Sequence, residues 1–247
     1  MDSPRHLTIV TGASRGLGRA MAELLAQQAG HQVLGLSRQA PPAPERVEQW
    51  PVDLADPVPV AARLGAWLAA FAPDHFASAT LINNAALVTD PRPLADSDPA
   101  ALSASVRVGL EAPLLLSAAF LRATRSWRAA RRVLHLSSGL GRRGMAATGP
   151  YCAVKAGLDN LARAQVLEEA LQPNGARVCS LAPGVIDTDM QVQLRCADPS
   201  AFPDIEAFKQ MKSGGKLDAP AVAAAKVLRY LARVDFGANP VGDVRDP

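Results

Sequence analysis

The sequence predicts an α/β fold, with one doubly wound domain over 1–247, a mostly parallel sheet, and helices on both faces. Three observations support this prediction. Short apolar runs alternate with helical patterns along the chain, as in strand–helix–strand units. A glycine-rich turn joins the first apolar run, 6–11, to the first helix. A later strand is followed by a polar stretch, 137–155, whose side chains suit acid–base chemistry.

The composition indicates a globular protein with an ample core: of 247 residues, 49% are hydrophobic and 20% charged. Cys152, Cys179 and Cys196 are odd in number and lack metal-ligand spacing, so we predict neither a disulfide framework nor a metal site. No apolar h-region precedes the first strand, and no uninterrupted apolar run reaches about 18 residues. We therefore expect a cytoplasmic location and no membrane span.

Positive charge is unevenly distributed, although the net charge is only +3. One cluster of arginines comprises Arg122, Arg125, Arg128, Arg131 and Arg132, and a pair follows at Arg142 and Arg143. The first three recur at helical spacing, which favours a solvated helix face. Nucleic-acid binding is the alternative, but no zinc-finger or RNA-binding motif accompanies the cluster, so we predict no nucleic-acid partner.

The first turn, T-G-A-S-R-G-L-G at 11–18, suits a dinucleotide phosphate. Glycines let the backbone approach a pyrophosphate, and the next helix offers unpaired N–H groups and partial positive charge. Gly12, Gly16 and Gly18 have the spacing G-x-x-x-G-x-G rather than G-x-G-x-x-G. A glycine turn that only packs a strand against a helix is the open alternative.

The next strand, about 32–36, bears on the choice of cofactor. An acid about twenty residues beyond the turn usually holds the ribose of NAD, but here the strand ends in Ser37-Arg38. Arg38, and Arg15 within the turn, suit bidentate bonds to a 2′-phosphate. We therefore predict NADP(H), with two solvent-facing arginines as the alternative.

A third strand is expected to close at 52–54, before a helix at about 58–71. This places Asp53 where an adenine amino group would lie, and an aspartate that caps the next turn is the alternative. The strand at about 79–82 ends in N-N-A-A at 83–86, where small and amide side chains suit a tight turn beside a ligand. A helix at about 100–126, broken near Pro113, leads to the strand 133–136.

The strand 133–136 brings Ser137 and Ser138 to the carboxyl edge of the sheet, where ligands bind in open parallel sheets. Tyr151 and Lys155 then lie one turn apart on the next helix, and the ammonium is expected to lower the pKa of the phenol. A lowered pKa would suit Tyr151 to general acid–base catalysis. An ordinary helix with a surface lysine and a half-buried tyrosine is the alternative.

The C-terminal third contains a strand at 177–181 and a segment at about 189–216 that we expect to be irregular. Because long irregular segments in compact domains are usually functional, we interpret this one as a substrate lid. Its apolar side chains, among them Met190, would cover a flat substrate, or else pack a dimer contact or the core. A helix at about 218–232 and an edge strand at 239–244 complete the chain.

Together these motifs resemble the short-chain dehydrogenase/reductase family over nearly the whole length. The matching pieces are the 11–18 turn, N-N-A-A at 83–86, Ser138, Y-x-x-x-K at 151–155 and P-G-x-x-x-T at 183–188. The resemblance implies a Rossmann fold with strand order 3-2-1-4-5-6-7. It also implies a small-molecule carbonyl substrate and a homodimer or homotetramer.

The resemblance also implies residue roles. Ser138 would hydrogen-bond the substrate oxygen, Tyr151 would pass it a proton, and Lys155 would bind the nicotinamide ribose. Asn83 would line the adenosine side, while Thr188 and the preceding P-G backbone would hold the nicotinamide carboxamide. The full candidate set for cofactor binding is Gly12, Ser14, Arg15, Gly16, Leu17, Gly18, Arg38, Asp53, Asn83, Ala85, Tyr151, Lys155, Pro183, Gly184, Ile186 and Thr188.

One position departs from the family pattern. The family commonly has V-N-L-x-A-P before the serine, and its asparagine is thought to hold a water in a proton relay from the lysine. Here the run at 108–113 is V-G-L-E-A-P, with Gly109 in that place. Because glycine has no side chain for this task, the relay must be rebuilt by water or by another residue.

The C-terminal third is similar to the sepiapterin reductase and benzil reductase branch, which reduces pterin side-chain carbonyls or diketones with NADPH. The similarity lies in D-T-D-M-Q at 187–191, in 208–217 and in G-D-V-R-D at 242–246. An aspartate anchors the pterin in sepiapterin reductases; Asp243 is its nearest match, and Met190 is a second candidate substrate contact. We therefore predict an NADPH-dependent carbonyl reductase. The alternatives are an NADP-dependent alcohol dehydrogenase and a non-catalytic NADP-binding sensor.

Overall fold

Seven strands form one sheet in the order β3-β2-β1-β4-β5-β6-β7, and every neighbouring pair is parallel. The computed structural model describes residues 5–40, 42 and 46–246, so the start of the chain, where we expect no h-region, lies outside the described residues. The strands are β1 His6–Thr11, β2 His31–Ser37, β3 Val47–Pro51, β4 Ser78–Asn83, β5 Ala130–Leu136, β6 Arg177–Ala182 and β7 Val241–Asp243. The predicted fold class and strand order are confirmed.

Helices cover both faces of the sheet. They are α1 Gly16–Ala26, α2 Pro57–Ala69, α3 Pro99–Val106, α4 Ala112–Ala123, α5 Gly149–Glu169, α6 Asp189–Arg195, α7 Ile205–Ser213 and α8 Pro220–Leu231. Successive strand residues point to opposite faces, so Ile9 joins the core under α2 and α4, and Val10 the core under α1 and α8. Burial on both faces explains why the strands read as continuous apolar runs.

Two predicted elements differ from the structure. β3 ends at Pro51, so Asp53 follows the strand instead of lying within it. The segment 189–216 is not irregular, because it contains α6 and α7. These helices form where apolar residues converge on a small cluster of their own, which includes Leu194 and Phe208.

The helix predicted at about 100–126 is interrupted before the proline. A π-helical turn at Arg107–Glu111 separates α3 from α4, and Pro113 lies in the first turn of α4. Proline has no N–H for the carbonyl four residues earlier, and a locally widened turn accommodates that loss. The break therefore falls a few residues ahead of Pro113.

The continuous helical stretch Pro99–Ala123 is long and apolar enough, by length and composition alone, to cross a membrane. Arg107 and Glu111 divide this stretch, so it contains no uninterrupted apolar run of membrane-spanning length. Its side chains Leu116 and Phe120 are fully buried in the core under the sheet. Core helices meet the same criterion, so this feature is weak support for a membrane span.

The arginine cluster divides into two parts. Arg122, Arg125 and Arg128 are exposed, although only Arg122 lies within a helix. Arg131 instead lies in β5, is 4% exposed, and forms an ion pair with Glu169 at the end of α5. The first three arginines are therefore solvated as expected, but Arg125 and Arg128 lie beyond α4 and not on a helix face, and the Arg131 guanidinium ties α5 to the sheet.

We expect Arg131→Met to lower the free energy of unfolding by about 3 kcal/mol, because it leaves the Glu169 carboxylate buried without its cation. Urea unfolding followed by circular dichroism measures this change. Arg128→Met, at an exposed position of the same cluster, is the matched control and should change the free energy by less than about 0.5 kcal/mol. Equal losses in the two variants would contradict the structural role of the pair.

Candidate active site

A cleft of about 1480 Å³ opens along the carboxyl edge of the sheet. Its walls are the turn after β1, the segments that follow the other strands, and parts of α6 and α7. The candidate residues that line it are Gly12, Ser14, Arg15, Gly16, Leu17, Gly18, Arg38, Asp53, Ala85, Ser138, Tyr151, Lys155, Pro183, Gly184, Ile186, Thr188, Met190 and Asp243. The structure thus brings together every candidate except Asn83.

The turn after β1 is shaped to bring its backbone close to an anion. Gly12 has a φ of +69°, and a Cβ on Gly18 would lie 2.3 Å from the Gly12 carbonyl oxygen, so no larger residue fits at Gly18. Asn84 braces the turn by donating from Nδ2 to the Thr11 carbonyl at 2.8 Å. Arg15, which precedes α1, makes no side-chain cap, so the first N–H groups of the helix can bind a ligand. These features fit a dinucleotide phosphate.

Two arginines lie beside this turn. Arg38 follows β2, is exposed, and has no ion pair or hydrogen bond with another described residue. Arg15 donates to Asp189 of α6 at 2.7 Å, and the two side chains are 71% and 72% exposed. An exposed ion pair contributes only about 0–1 kcal/mol, so a phosphate dianion can displace Asp189 from Arg15.

Asp53 lines the cleft and also caps a local turn. Its Oδ1 accepts a hydrogen bond from the Ala55 N–H at 2.9 Å. The two interpretations of this residue are therefore compatible. One carboxylate oxygen fixes the side chain, and the residue still contributes to the cleft wall.

The side-chain role predicted for Asn83 is wrong in this structure. β4 extends one residue further than predicted and includes Asn83, so this side chain is 2% exposed and lies outside the cleft. Its Nδ2 donates to Ser117 Oγ at 3.1 Å and to His135 Nδ1 at 3.2 Å. Asn84, the first residue beyond the strand, lines the cleft instead.

Ser138 and Tyr151 meet at the end of β5. Ser138 Oγ accepts from the Leu140 N–H at 3.2 Å and so caps the short 3-10 helix Gly139–Gly141. This contact fixes the serine side chain at the cleft wall. The Ser138 hydroxyl also lies near the half-buried phenol of Tyr151 and lowers its pKa.

Lys155 is 3% exposed, and its Nζ lies 5.4 Å from the centre of the Tyr151 ring. The ammonium donates to the Leu136 carbonyl at 2.6 Å, so it is directed at the end of β5. Burial lowers the pKa of Lys155 to about 8, and the nearby Asp159 carboxylate opposes that change.

The expected lowering of the Tyr151 pKa by Lys155 is not what the structure shows. Burial raises the pKa of the phenol, and the nearby Ser138 hydroxyl only partly offsets this. The ammonium does not reverse the effect, because it is directed at the Leu136 carbonyl. The phenol is therefore protonated near neutral pH, which is the form that a proton donor needs.

The segment after β6 forms the wall opposite the glycine turn. Thr188 precedes α6, and its Cγ2 would be 3.5 Å from a Cβ placed on Gly16. Ile186 forms a parallel bridge with Asp218, which fixes the path of the segment ahead of α8. Thr188 is thereby held directly across the cleft from the turn.

α6 and α7 place apolar side chains around the other end of the cleft. Phe202 and Phe208 pack with their ring centres 5.4 Å apart, and with Leu194 and Ile205 they form a separate buried cluster. The apolar residues of this cluster, or packed against it, that line the cleft include Val88, Met145, Met190, Leu194, Phe208 and Met211. A carbonyl substrate at this end would lie mostly against apolar atoms.

Asp243, the candidate pterin anchor, already has a partner. Its carboxylate accepts from Arg245 Nε at 2.7 Å and from Arg245 Nη2 at 2.6 Å. This contact lowers the pKa of Asp243, whose side chain is 8% exposed. A pterin would therefore share this carboxylate with Arg245.

Gly109 lies in the π-helical turn and packs against α5. A Cβ at this position would be 2.5 Å from Val154 Cγ1, so an asparagine would fit only if Val154 shifted. A buried residue that was not among the predicted site residues is Asp159, which lies one turn beyond Lys155 on the same face of α5. Its spacing from Lys155 was the signal that could have identified it.

Comparison with known proteins finds relatives along nearly the whole chain. The family model for the short chain dehydrogenase matches residues 6–198. The chain is 32% identical to benzil reductase ((S)-benzoin forming) from Bacillus subtilis (strain 168), over 92% of this chain and 94% of that protein. It is 30% identical to sepiapterin reductase from Bos taurus, over 94% of this chain and 91% of that protein. A solved short-chain dehydrogenase/reductase from Burkholderia vietnamiensis is 37% identical, with a TM-score of 0.65 and coverage of 99% and 100%.

Proposed function

Because the chain belongs to the short chain dehydrogenase family, we propose that it is a carbonyl reductase that uses NADPH to reduce ketones or diketones. The observation that carries the proposal is the placement of Tyr151, Ser138 and Lys155 in the same cleft as the glycine turn. Similarity to a benzil reductase and a sepiapterin reductase supports this class of reaction.

The chain's own groups provide a place for the cofactor. The Gly12–Gly18 backbone and the N-terminus of α1 would bind its phosphates. Arg38 and Arg15 would bind a 2′-phosphate through charge-assisted hydrogen bonds, and Thr188 would contact the carboxamide. When bound, NADPH supplies the hydride that adds to the carbonyl carbon.

The proton that completes the reduction comes from Tyr151. The phenol donates it to the carbonyl oxygen as that oxygen gains negative charge, and the product is an alcohol. Ser138 donates a hydrogen bond to the same oxygen and stabilises the developing charge. The ammonium of Lys155, 5.4 Å from the centre of the Tyr151 ring, would bind the nicotinamide ribose.

The segment 189–216 serves as the substrate lid in this proposal. Its helices α6 and α7 pack around their own apolar cluster, and the exposed Arg15–Asp189 ion pair links the start of α6 to the glycine turn. Gly215, at a φ of +65°, follows α7 and suits a hinge. A closed lid would exclude water from the reacting carbonyl.

An aromatic or vicinal diketone suits the site better than a pterin does. The substrate end of the cleft is mostly apolar, and Asp243 is neutralised by its ion pair with Arg245. A pterin needs polar partners for its N–H groups, whereas a diketone such as benzil mainly needs apolar surface. We therefore propose a benzil-like substrate.

We also propose a homodimer or homotetramer in the cytoplasm. Leu114 of α4, and Leu167 and Leu171 at the end of α5, are 47%, 71% and 83% exposed, which supports contact with a second copy of the chain. The three cysteines are free thiols, which supports a reduced compartment. Light scattering on the purified protein measures the oligomeric state.

A panel of carbonyl compounds assayed with NADPH and with NADH tests the proposed function. We expect kcat/KM to be highest for benzil, lower for sepiapterin, and lowest for a simple aliphatic ketone, because only the first matches the apolar end of the cleft. NADPH should be preferred throughout. Tight NADPH binding without turnover on any carbonyl would indicate a sensor instead.

Arg38→Asp should weaken NADPH binding by about 2–3 kcal/mol, which is about 30- to 150-fold in Kd. The variant loses a charged hydrogen bond and places a like charge near the 2′-phosphate. A fluorescence titration measures Kd, and NADH, which lacks that phosphate, is the matched control ligand. If both dinucleotides lose affinity equally, or neither does, Arg38 does not bind the 2′-phosphate of NADPH.

Tyr151→Phe should lower kcat by about 100- to 10,000-fold and leave the Kd for NADPH nearly unchanged, because only the reaction needs the proton. The chain has two tyrosines, so Tyr230→Phe, outside the cleft, is the matched control. Its kcat should stay close to that of the unmodified protein. Substantial turnover in the Tyr151 variant would assign the proton donor to another group.

A further inference from the structure

We propose that Asp159 is a positioning residue for the catalytic pair, whose buried carboxylate keeps Lys155 charged beside Tyr151. The three residues stand at i, i+4 and i+8 on α5, so they share one face of the helix. The inference rests on the proposed function for the roles of Tyr151 and Lys155. The contacts of Asp159 are independent of that function.

Asp159 is a buried carboxylate with one incompletely paired oxygen. Asp159 is 2% exposed, and its Oδ1 accepts a hydrogen bond from Ser180 Oγ at 2.7 Å. Oδ2 is buried and accepts no hydrogen bond from the described residues, and the nearest ion-pair partner, Arg142 Nε, is 3.6 Å away. An ionised carboxylate in such a place is costly unless positive charge compensates it. The position therefore calls for a nearby cation.

Lys155 is a buried cation that requires a nearby negative charge. Its ammonium is buried and donates to the Leu136 carbonyl, although an ammonium has three N–H donors. Burial favours the neutral amine, and Asp159 is the charged neighbour that opposes this effect. Tyr151 is the other titratable group on this face of α5. Its protonated phenol is neutral, so it provides no negative charge to Lys155.

Groups from the neighbouring strands do not supply the missing negative charge. Burial lowers the pKa of His135 in β5 to about 4, and burial raises the pKa of Cys179 in β6 to about 11, so both are neutral near pH 7. Asp243 in β7 is held by its own ion pair. Among the described residues, Asp159 is therefore the anion that balances Lys155.

Arg142 competes with Lys155 for the same carboxylate. It follows the 3-10 helix after Ser138, and its Nη2 donates to the Gly242 carbonyl at 2.6 Å, which holds the guanidinium near Asp159. Asp159 thus forms its ion pair with Arg142, and it acts on Lys155, one turn away on α5, through longer-range attraction. If Arg142 were removed, the negative charge of Asp159 would be compensated by Lys155 alone.

This arrangement answers the loss of the family's asparagine. Gly109 offers no side chain, and the adjacent Val154 fills the space that one would occupy. A fixed carboxylate one turn beyond Lys155 keeps the ammonium charged without that side chain. Asp159 would thus support the charge of the lysine from within α5.

The pKa of Lys155 in the cofactor-free protein is the decisive measurement. The chain has five lysines, Lys155, Lys209, Lys212, Lys216 and Lys226, so ¹³Cε-labelled lysine gives five NMR signals, and Lys155→Met identifies that of Lys155. Asp159→Asn keeps the shape and an acceptor for Ser180 but removes the charge. We expect it to lower the pKa of Lys155 by about one unit or more.

Two further variants separate charge from packing. Ser180→Ala removes the hydrogen bond to Asp159 and keeps its charge, so the pKa of Lys155 should stay nearly unchanged. Arg142→Gln removes the competing cation, so the same pKa should rise. An unchanged pKa of Lys155 in Asp159→Asn would overturn the proposal. If Asp159→Asn does not fold, two other variants test the proposal. The pKa of Lys155 should rise in Arg142→Gln and should stay close to its original value in the charge-conserving Asp159→Glu.

The pH profile of kcat/KM gives a second readout. Because Lys155 in Asp159→Asn loses its proton at lower pH, the alkaline decline of reduction should move to lower pH by the same amount. Asp159→Glu should return the alkaline decline of kcat/KM to its original pH. A uniform loss at every pH, with no shift of the alkaline decline, would indicate a merely structural role and contradict the proposal.

The NMR measurement also separates this inference from the proposed function. It uses the protein without cofactor or substrate and requires no activity. A lowered Lys155 pKa in Asp159→Asn, in a protein that reduces no carbonyl, would keep the inference and refute the function. Carbonyl reduction by the unmodified protein, together with an unchanged Lys155 pKa in Asp159→Asn, would keep the function and refute the inference.

Discussion

The parallel pairing of the seven strands is the constraint on which the whole site depends, because only this pairing brings every strand's carboxyl end to one edge. The register places Asn83 beside His135 and Leu136 beside Leu181, so the segments after β4, β5 and β6 emerge together. Ile9 and Val10 are buried on opposite faces, and a slip of one residue would exchange those faces. Apolar burial in the middle of the sheet therefore fixes the distances between polar groups at its edge.

Burial of charge on α5 is the second constraint. Lys155 and Asp159 are 3% and 2% exposed, and Arg131 pairs with Glu169 at the other end of the helix. Buried ion pairs are often no more stable than apolar residues of the same volume, because desolvation offsets their attraction. Stability alone thus does not explain a buried lysine and aspartate beside Tyr151. The proposed role of Asp159 in keeping Lys155 charged does.

Sequence patterns were sufficient where one local signal dominated. The glycine turn, the strands around Ile9 and Leu134, and the Tyr151–Lys155 spacing each have such a signal. Asn83 was misassigned because β4 is one residue longer than its apolar run, and one residue in a strand reverses the direction of a side chain. The effect of Lys155 on Tyr151 depends on burial and on the Leu136 carbonyl, which are tertiary features that spacing does not encode.

The two ends of the cleft differ in what they tolerate. At the glycine turn the backbone itself forms the surface, and a Cβ at Gly18 would overlap the Gly12 carbonyl. The substrate end is built instead from side chains of two short helices and nearby loops, among them Met145, Met190 and Met211. Methionine is flexible and repacks readily around apolar surfaces of different shape. Changes at this end can therefore alter the substrate, while the geometry that binds the phosphates and positions the phenol stays the same.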